Sequence, residues 1–140
     1  MKTAMNKSTK LILLLSVLAF TFYCLFIQPE LLGISISEKL NFPLGSLISW
    51  SGIVAYTLTL HLFIKLPTKT ILLKISKLLR YFHIGLTLFW LPVSYFISGN
   101  LAFAFQNKPI AFKLWIGYTL VLLLFPLLLI LVNRFGKSED

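Results

Sequence analysis

Polar and apolar positions alternate along this chain in blocks, not residue by residue. Four stretches carry no Lys, Arg, Asp or Glu: residues 11–27, 47–64, 81–98 and 114–132. Each is close to the ~20 residues an α-helix needs to cross a bilayer, at about 1.5 Å of rise per residue. The runs are continuously apolar, so strands of a β-barrel, which alternate faces, are excluded. The third run can extend as far as Phe105, with Gly99 and Asn100 loosening its end. Pro92 and Pro126 lie inside the third and fourth runs and predict kinks, since each removes one backbone donor. The fold class expected is an all-α polytopic membrane protein, one four-span antiparallel bundle occupying residues 1–140.

The segments between the runs differ in kind. Residues 28–46 hold Pro29, Gly33, Pro43 and Gly45, yet Leu31, Leu32, Ile34 and Ile36 are too apolar for a freely solvated loop. Part of this connection is expected in the membrane interface. Residues 65–80 carry Lys65, Lys69, Lys74, Lys77 and Arg80 with no acid. Within them Ile71, Leu72, Ile75, Leu78 and Leu79 recur at helical spacing, away from Lys74, Lys77 and Arg80. This predicts a short amphipathic helix between spans 2 and 3, lying on the membrane surface or leading straight into the next run. Residues 106–113 make a short turn.

Charge fixes the expected orientation. Of the 13 basic residues, ten lie before the first run, in 65–80 or after the fourth run. Only Lys39, Lys108 and Lys113 lie in the other two connections. Both termini and the 65–80 elbow are therefore expected in the cytoplasm, in an inner or plasma membrane. Trp50, Trp115 and Tyr118 fall near the opposite ends of their runs, where an aromatic belt belongs.

Composition narrows the function. The chain is 58% hydrophobic and 12% charged, about half the charge of a soluble domain. Its net charge of +9 comes from residues that bracket apolar runs and form no separate patch. Anionic lipid headgroups are the expected counterpart, and nucleic acid is not. The single Cys24 excludes an intramolecular disulfide and a Cys-rich metal site. The apolar run at 11–27 is too long for a signal peptide and lacks a small-x-small cleavage site before Gln28-Pro29, so it is expected to be retained.

Polar residues inside the runs mark the faces that meet protein. His83, Thr87, Trp90 and Ser94 form one helical stripe; Trp50, Val54, Thr57 and His61 form another. In antiparallel helices His61 and His83 lie at similar depth, with Thr57 and Thr87 one turn further in. Two histidines so placed look like the axial ligands of membrane b-type cytochromes, a resemblance of architecture confined to this pair. It implies haem b on His61 and His83, with Lys65 and Arg80 at the propionates, and hence a redox subunit. The plainer alternative makes each histidine a hydrogen-bonding residue near the membrane boundary. A further face of the second run, Gly45, Ser49, Gly52, Ala55 and Thr59, consists of small residues that let helices approach closely. Packing within the chain is the expected use, contact with another subunit the alternative.

The chain is similar in size and helix count to small multidrug exporters. Those depend on a glutamate in the first helix, and residues 11–27 hold none. No acid lies in any run, as proton- or cation-coupled carriers usually require. There is no HExxH, Cys-x-x-Cys or Gly-rich phosphate loop, and no hydroxyl stands beside a His–acid pair. No catalytic residue is assigned. The leading expectation is a non-enzymatic accessory or assembly subunit acting through helix contacts with other membrane-protein subunits. A haem-binding subunit comes second, and a small carrier or pore third.

Overall fold

A computed structural model describes residues 6–135. Lys2, Gly136, Lys137, Glu139 and Asp140, which enter the charge count or the fourth-run boundary, lie outside the described residues. The fold is helical: α1 (Lys7–Phe26), α2 (Leu44–Phe63), α3 (Thr70–Leu88), α4 (Trp90–Ser98) and α5 (Pro109–Phe135). α1, α2 and α5 are each long and apolar enough to cross a membrane, and α3 with α4 makes a fourth when the bent pair is counted as one.

The distribution of side chains is inside out. Among the described residues the buried positions include Thr21, Ser46, Thr57, Thr59, Ser76, His83, Thr87, Ser94 and Ser98, beside a small apolar set led by Cys24, Trp90, Leu122 and Leu129. The outer surface is leucine, isoleucine and phenylalanine on every helix, Phe26 and Phe96 among the most exposed. Water would penalise such a surface heavily, whereas hydrocarbon is indifferent to it and penalises exposed polar groups instead.

α2 is the hub: it packs against α1, α3, α4 and α5, while α5 packs on both α3 and α4. α1 lies on the far side of α2. The two meet where Gly52 faces Thr21: a Cβ on Gly52 would stand 2.6 Å from Thr21 Cγ2, so only glycine permits this approach.

Three features sharpen the sequence expectation. The connection at 28–46 folds as a 3-10 turn (Pro29–Gly33) and a small antiparallel hairpin, β1 (Ser35–Ser37) with β2 (Phe42–Pro43), pairing Ser35 with Pro43 and Ser37 with Phe42. Its strands are too short to leave a period-two signal. Of the two expectations for residues 70–80, the one in which they lead straight into the next run holds: α3 runs unbroken through them to Leu88. Here Ile71, Ile75, Leu78 and Phe82 make one exposed apolar stripe, beside exposed Lys74 and Lys77.

The third is the bend that Pro92 predicts. The α3–α4 axis turns by 49° at Phe89, three residues before Pro92. A proline ring collides with the carbonyl of the residue four before it, here Leu88, so distortion falls upstream of the proline. α5 by contrast continues through Pro126 as one helix. Beyond α4 the chain turns on Gly99 (φ 80°), whose N–H returns to Tyr95 O at 2.7 Å, a left-handed helix cap. Lys108 Nζ covers the Ser98 carbonyl at 2.9 Å, and Ser46 Oγ donates to Leu101 O at 2.6 Å, tying this loop to the start of α2.

Candidate functional site

Each proline inside a helix leaves the carbonyl four residues earlier without its usual donor. For Pro126 that carbonyl is Leu122, and for Pro92 it is Leu88. Both are taken by side chains from a neighbouring helix. His83 Nε2 on α3 lies 2.9 Å from Leu122 O on α5. Trp50 Nε1 on α2 donates to Leu88 O at 3.2 Å and to Thr87 O at 3.3 Å. Tyr118 on α5 adds its hydroxyl to Leu86 O at 2.6 Å, and Tyr56 on α2 donates to Leu123 O at 2.9 Å. The freed backbone is thus re-satisfied across the bundle, as hydrocarbon surroundings demand.

The two histidines join this system. His61 Nε2 stands 3.0 Å from His83 Nδ1. A carbonyl can only accept, so for neutral rings His83 is protonated on Nε2 and accepts at Nδ1 from His61 Nε2–H. One turn further in, Thr87 donates to His83 O at 2.8 Å, which leaves Thr57 as the donor in the 3.1 Å Thr57–Thr87 contact. His83, Thr57 and Thr87 are at most 1% exposed. The structure therefore brings together His61, His83, Thr57 and Thr87. It also buries Trp90 and Ser94 of the same stripe, but against α5: Trp90 Nε1 donates to Thr119 Oγ1 at 3.0 Å, and Ser94 Oγ accepts from Trp115 Nε1 at 2.9 Å.

This arrangement does not fit a haem. Two imidazoles trans on one metal hold their nitrogens roughly 4 Å apart, at metal–nitrogen bonds of about 2 Å, with the macrocycle between them. Here the nitrogens are 3.0 Å apart in a direct hydrogen bond. The second nitrogen of His83 is on Leu122 O, and its ring stacks on Phe125 at 4.6 Å and 18°. Nor is Arg80 placed for a propionate. Its guanidinium donates to His61 O at 3.1 Å and to Ile64 O, the last carbonyls of α2. Lys65 is exposed, and its backbone carbonyl accepts from Asn133 Nδ2 at 2.5 Å, while Ser76 Oγ donates to Asn133 Oδ1 at 3.0 Å. Two buried atoms, His61 Nδ1 and Arg80 Nε, have no partner among the described residues.

Of the small-residue face, Gly52 meets α1, and Gly45 lies against Leu32, whose carbonyl oxygen would be 2.8 Å from a Cβ there. Ala55 and Thr59 are buried, Thr59 donating back to Ala55 O at 2.7 Å. Ser49 instead faces an apolar groove of about 1000 Å³. α1 lines it with Leu18 and Phe22, α2 with Ser49, Ile53 and Tyr56, and α5 with Thr119 and Leu124.

Trp50, Tyr118 and Trp115, expected near the ends of their spans, each donate to a neighbouring helix. For Trp50, as for His83, the identifying signal is arithmetic: a proline in an apolar run creates an acceptor four residues earlier, and a buried donor at that depth is its partner. Tyr56, Ser76 and Asn133 carry no comparable signal.

No known protein family, curated protein or solved structure matches this chain.

Proposed function

We propose that this chain is an integral protein of an inner or plasma membrane with four spans, α3 and α4 together forming the third. Both termini and the 65–80 elbow lie on the cytoplasmic side. It works without catalysis, as an accessory or assembly subunit that holds a helix of another membrane protein. The observation that carries this reading is the groove beside α2. It runs from Gly45 to Tyr56, about 16 Å of helix or roughly three turns. Its walls are apolar, and Ser49 on its floor lets a helix backbone approach. A groove of this shape facing lipid suits an apolar helix laid along it.

The polar groups of the interior support a structural role, because they bond one helix to the next and converge on no reacting centre. Orientation is supported by the basic residues at one end of the bundle: Lys7 and Lys10 of α1, the elbow lysines and Arg134 of α5. In this arrangement the first turns of α3 lie at the headgroups, with Lys74 and Lys77 toward anionic lipid.

Photo-crosslinking side chains at Ile53 and Leu124, which line the groove, test the reading in native membranes. Each is expected to give a discrete adduct with one polypeptide, while the same probe at Phe96, exposed on α4 away from the groove, does not. Adducts with lipid alone at 53 and 124 would overturn it.

A further inference from the structure

Between the carboxy-terminal ends of α2 and α5 lies a second cavity, of about 730 Å³. Lys65 and Arg134, far apart in sequence, both line it, with Leu60, Phe63, Ile130 and Asn133 completing its wall. We propose that this cavity binds the headgroup phosphate of an anionic phospholipid, with an acyl chain lying along α2 and α5.

Three observations converge on that ligand. The first is charge. A helix carboxy terminus normally presents unpaired carbonyls and repels anions. At the end of α2 three of them are covered: Arg80 donates to the carbonyls of His61 and Ile64, and Asn133 to that of Lys65. The cations that face the cavity are thereby left uncompensated, and neither makes an ion pair among the described residues. The described acids, Glu30 and Glu38, belong to the connection before α2, a helix length of about 30 Å away. The second is chemistry. An exposed lysine offers a compact ammonium and an exposed arginine a planar fork that engages two phosphate oxygens. The third is the apolar wall. Phe63 and Ile130 are 61% and 48% exposed, line the cavity, and precede Lys65 and Arg134 by about a turn or less of helix. A free anion would have no use for that wall, whereas a lipid places its chain there. Basic pockets between membrane helices are recognised headgroup sites for the same reasons. The proposal rests on this chain residing in a bilayer, and is independent of what occupies the groove beside α1.

The test is titration of the full chain in mild detergent with phosphatidylglycerol, followed by native mass spectrometry, with phosphatidylcholine and inorganic phosphate as the other arms. One phosphatidylglycerol should bind in preference to phosphatidylcholine, and excess inorganic phosphate should not displace it. K65Q/R134Q should weaken it about thirtyfold, each cation contributing a factor of about five. K39Q/K113Q, at exposed lysines beside the amino-terminal ends of α2 and α5 and outside the cavity, should leave the affinity unchanged. Among the described residues neither Lys65 nor Arg134 makes a side-chain bond, so K65Q/R134Q should fold. If it does not, K65Q and R134Q alone should each weaken binding about fivefold. Equal binding of the two lipids, displacement by phosphate, an equal loss in K39Q/K113Q, or wild-type affinity in the cavity variants would each overturn the proposal.

Discussion

His83→Leu isolates the role assigned to the histidine pair. The substitution keeps an apolar side chain of similar size against Phe125, but removes two hydrogen bonds. One is the 2.9 Å bond to Leu122 O, and the other the 3.0 Å bond from His61. A buried polar group left without a partner costs about 1–3 kcal/mol. Bonds between membrane helices average about 0.6 kcal/mol with a maximum near 1.7, because the unfolded helices also find partners in the bilayer. For two bonds at a site 0% exposed, about 2 kcal/mol is expected. The decisive comparison is with Pro126→Ala. That change restores an N–H at position 126 and gives Leu122 O its own intrahelical donor. In the Pro126→Ala background His83→Leu should then cost about 1 kcal/mol less, because only the His61 bond is lost. Reversible unfolding of the four proteins of this cycle in mixed micelles measures the coupling. If His83→Leu costs the same in both backgrounds to within about 0.5 kcal/mol, the proline-freed carbonyl is not what His83 serves.

Other outcomes follow from the same packing. Trp50→Phe should destabilise the protein by about 1 kcal/mol and increase hydrogen exchange around Phe89, since the Leu88 carbonyl that Pro92 frees loses its donor; unchanged exchange there would contradict the assignment. Cysteines at Thr57 and Thr87, in a Cys24→Ser background, should form an intramolecular disulfide on mild oxidation, because their hydroxyls are 3.1 Å apart. A pair at Val54 and Phe89 should not. Gly52→Leu should cost about 1–3 kcal/mol by driving its side chain into Thr21, 2.6 Å from the position of its Cβ. It should also loosen α1 from α2, read as faster proteolysis between them. A melting temperature equal to wild type would contradict the close approach.

How much of this was legible in the sequence depends on the physics of each feature. The four uncharged runs lie within α1, α2, the α3–α4 pair and α5 to within a residue or so at their ends, because hydrocarbon length and charge exclusion act on every residue of a helix. The stripe His83, Thr87, Trp90 and Ser94 is buried throughout. Helical periodicity and the cost of polar groups in lipid suffice to place it. What periodicity cannot give is which polar group meets which. His61 and His83 stand at matched depth, and that depth alone fits a metal between two rings as well as a direct hydrogen bond. The carbonyl of Leu122, a backbone atom that only Pro126 makes available, decides it. The kink that Pro92 predicts is present, and it falls at Phe89 because a proline acts through the carbonyl one turn earlier. The hairpin at 35–43 is short enough to be set by its neighbours, and the run 70–80 continues into α3 because nothing after Arg80 stops a helix.

The most direct test of the membrane architecture is the side from which single cysteines react. In a Cys24→Ser background, cysteines replace Glu38 between α1 and α2, Lys69 between α2 and α3, or Lys108 before α5. A membrane-impermeant thiol reagent applied to the outer face of intact cells should label positions 38 and 108, and should reach 69 only after the membrane is opened. That pattern requires the bent α3–α4 pair to cross the bilayer once. Labelling of 69 from outside, or 69 and 108 reacting from the same side, would contradict the four-span account.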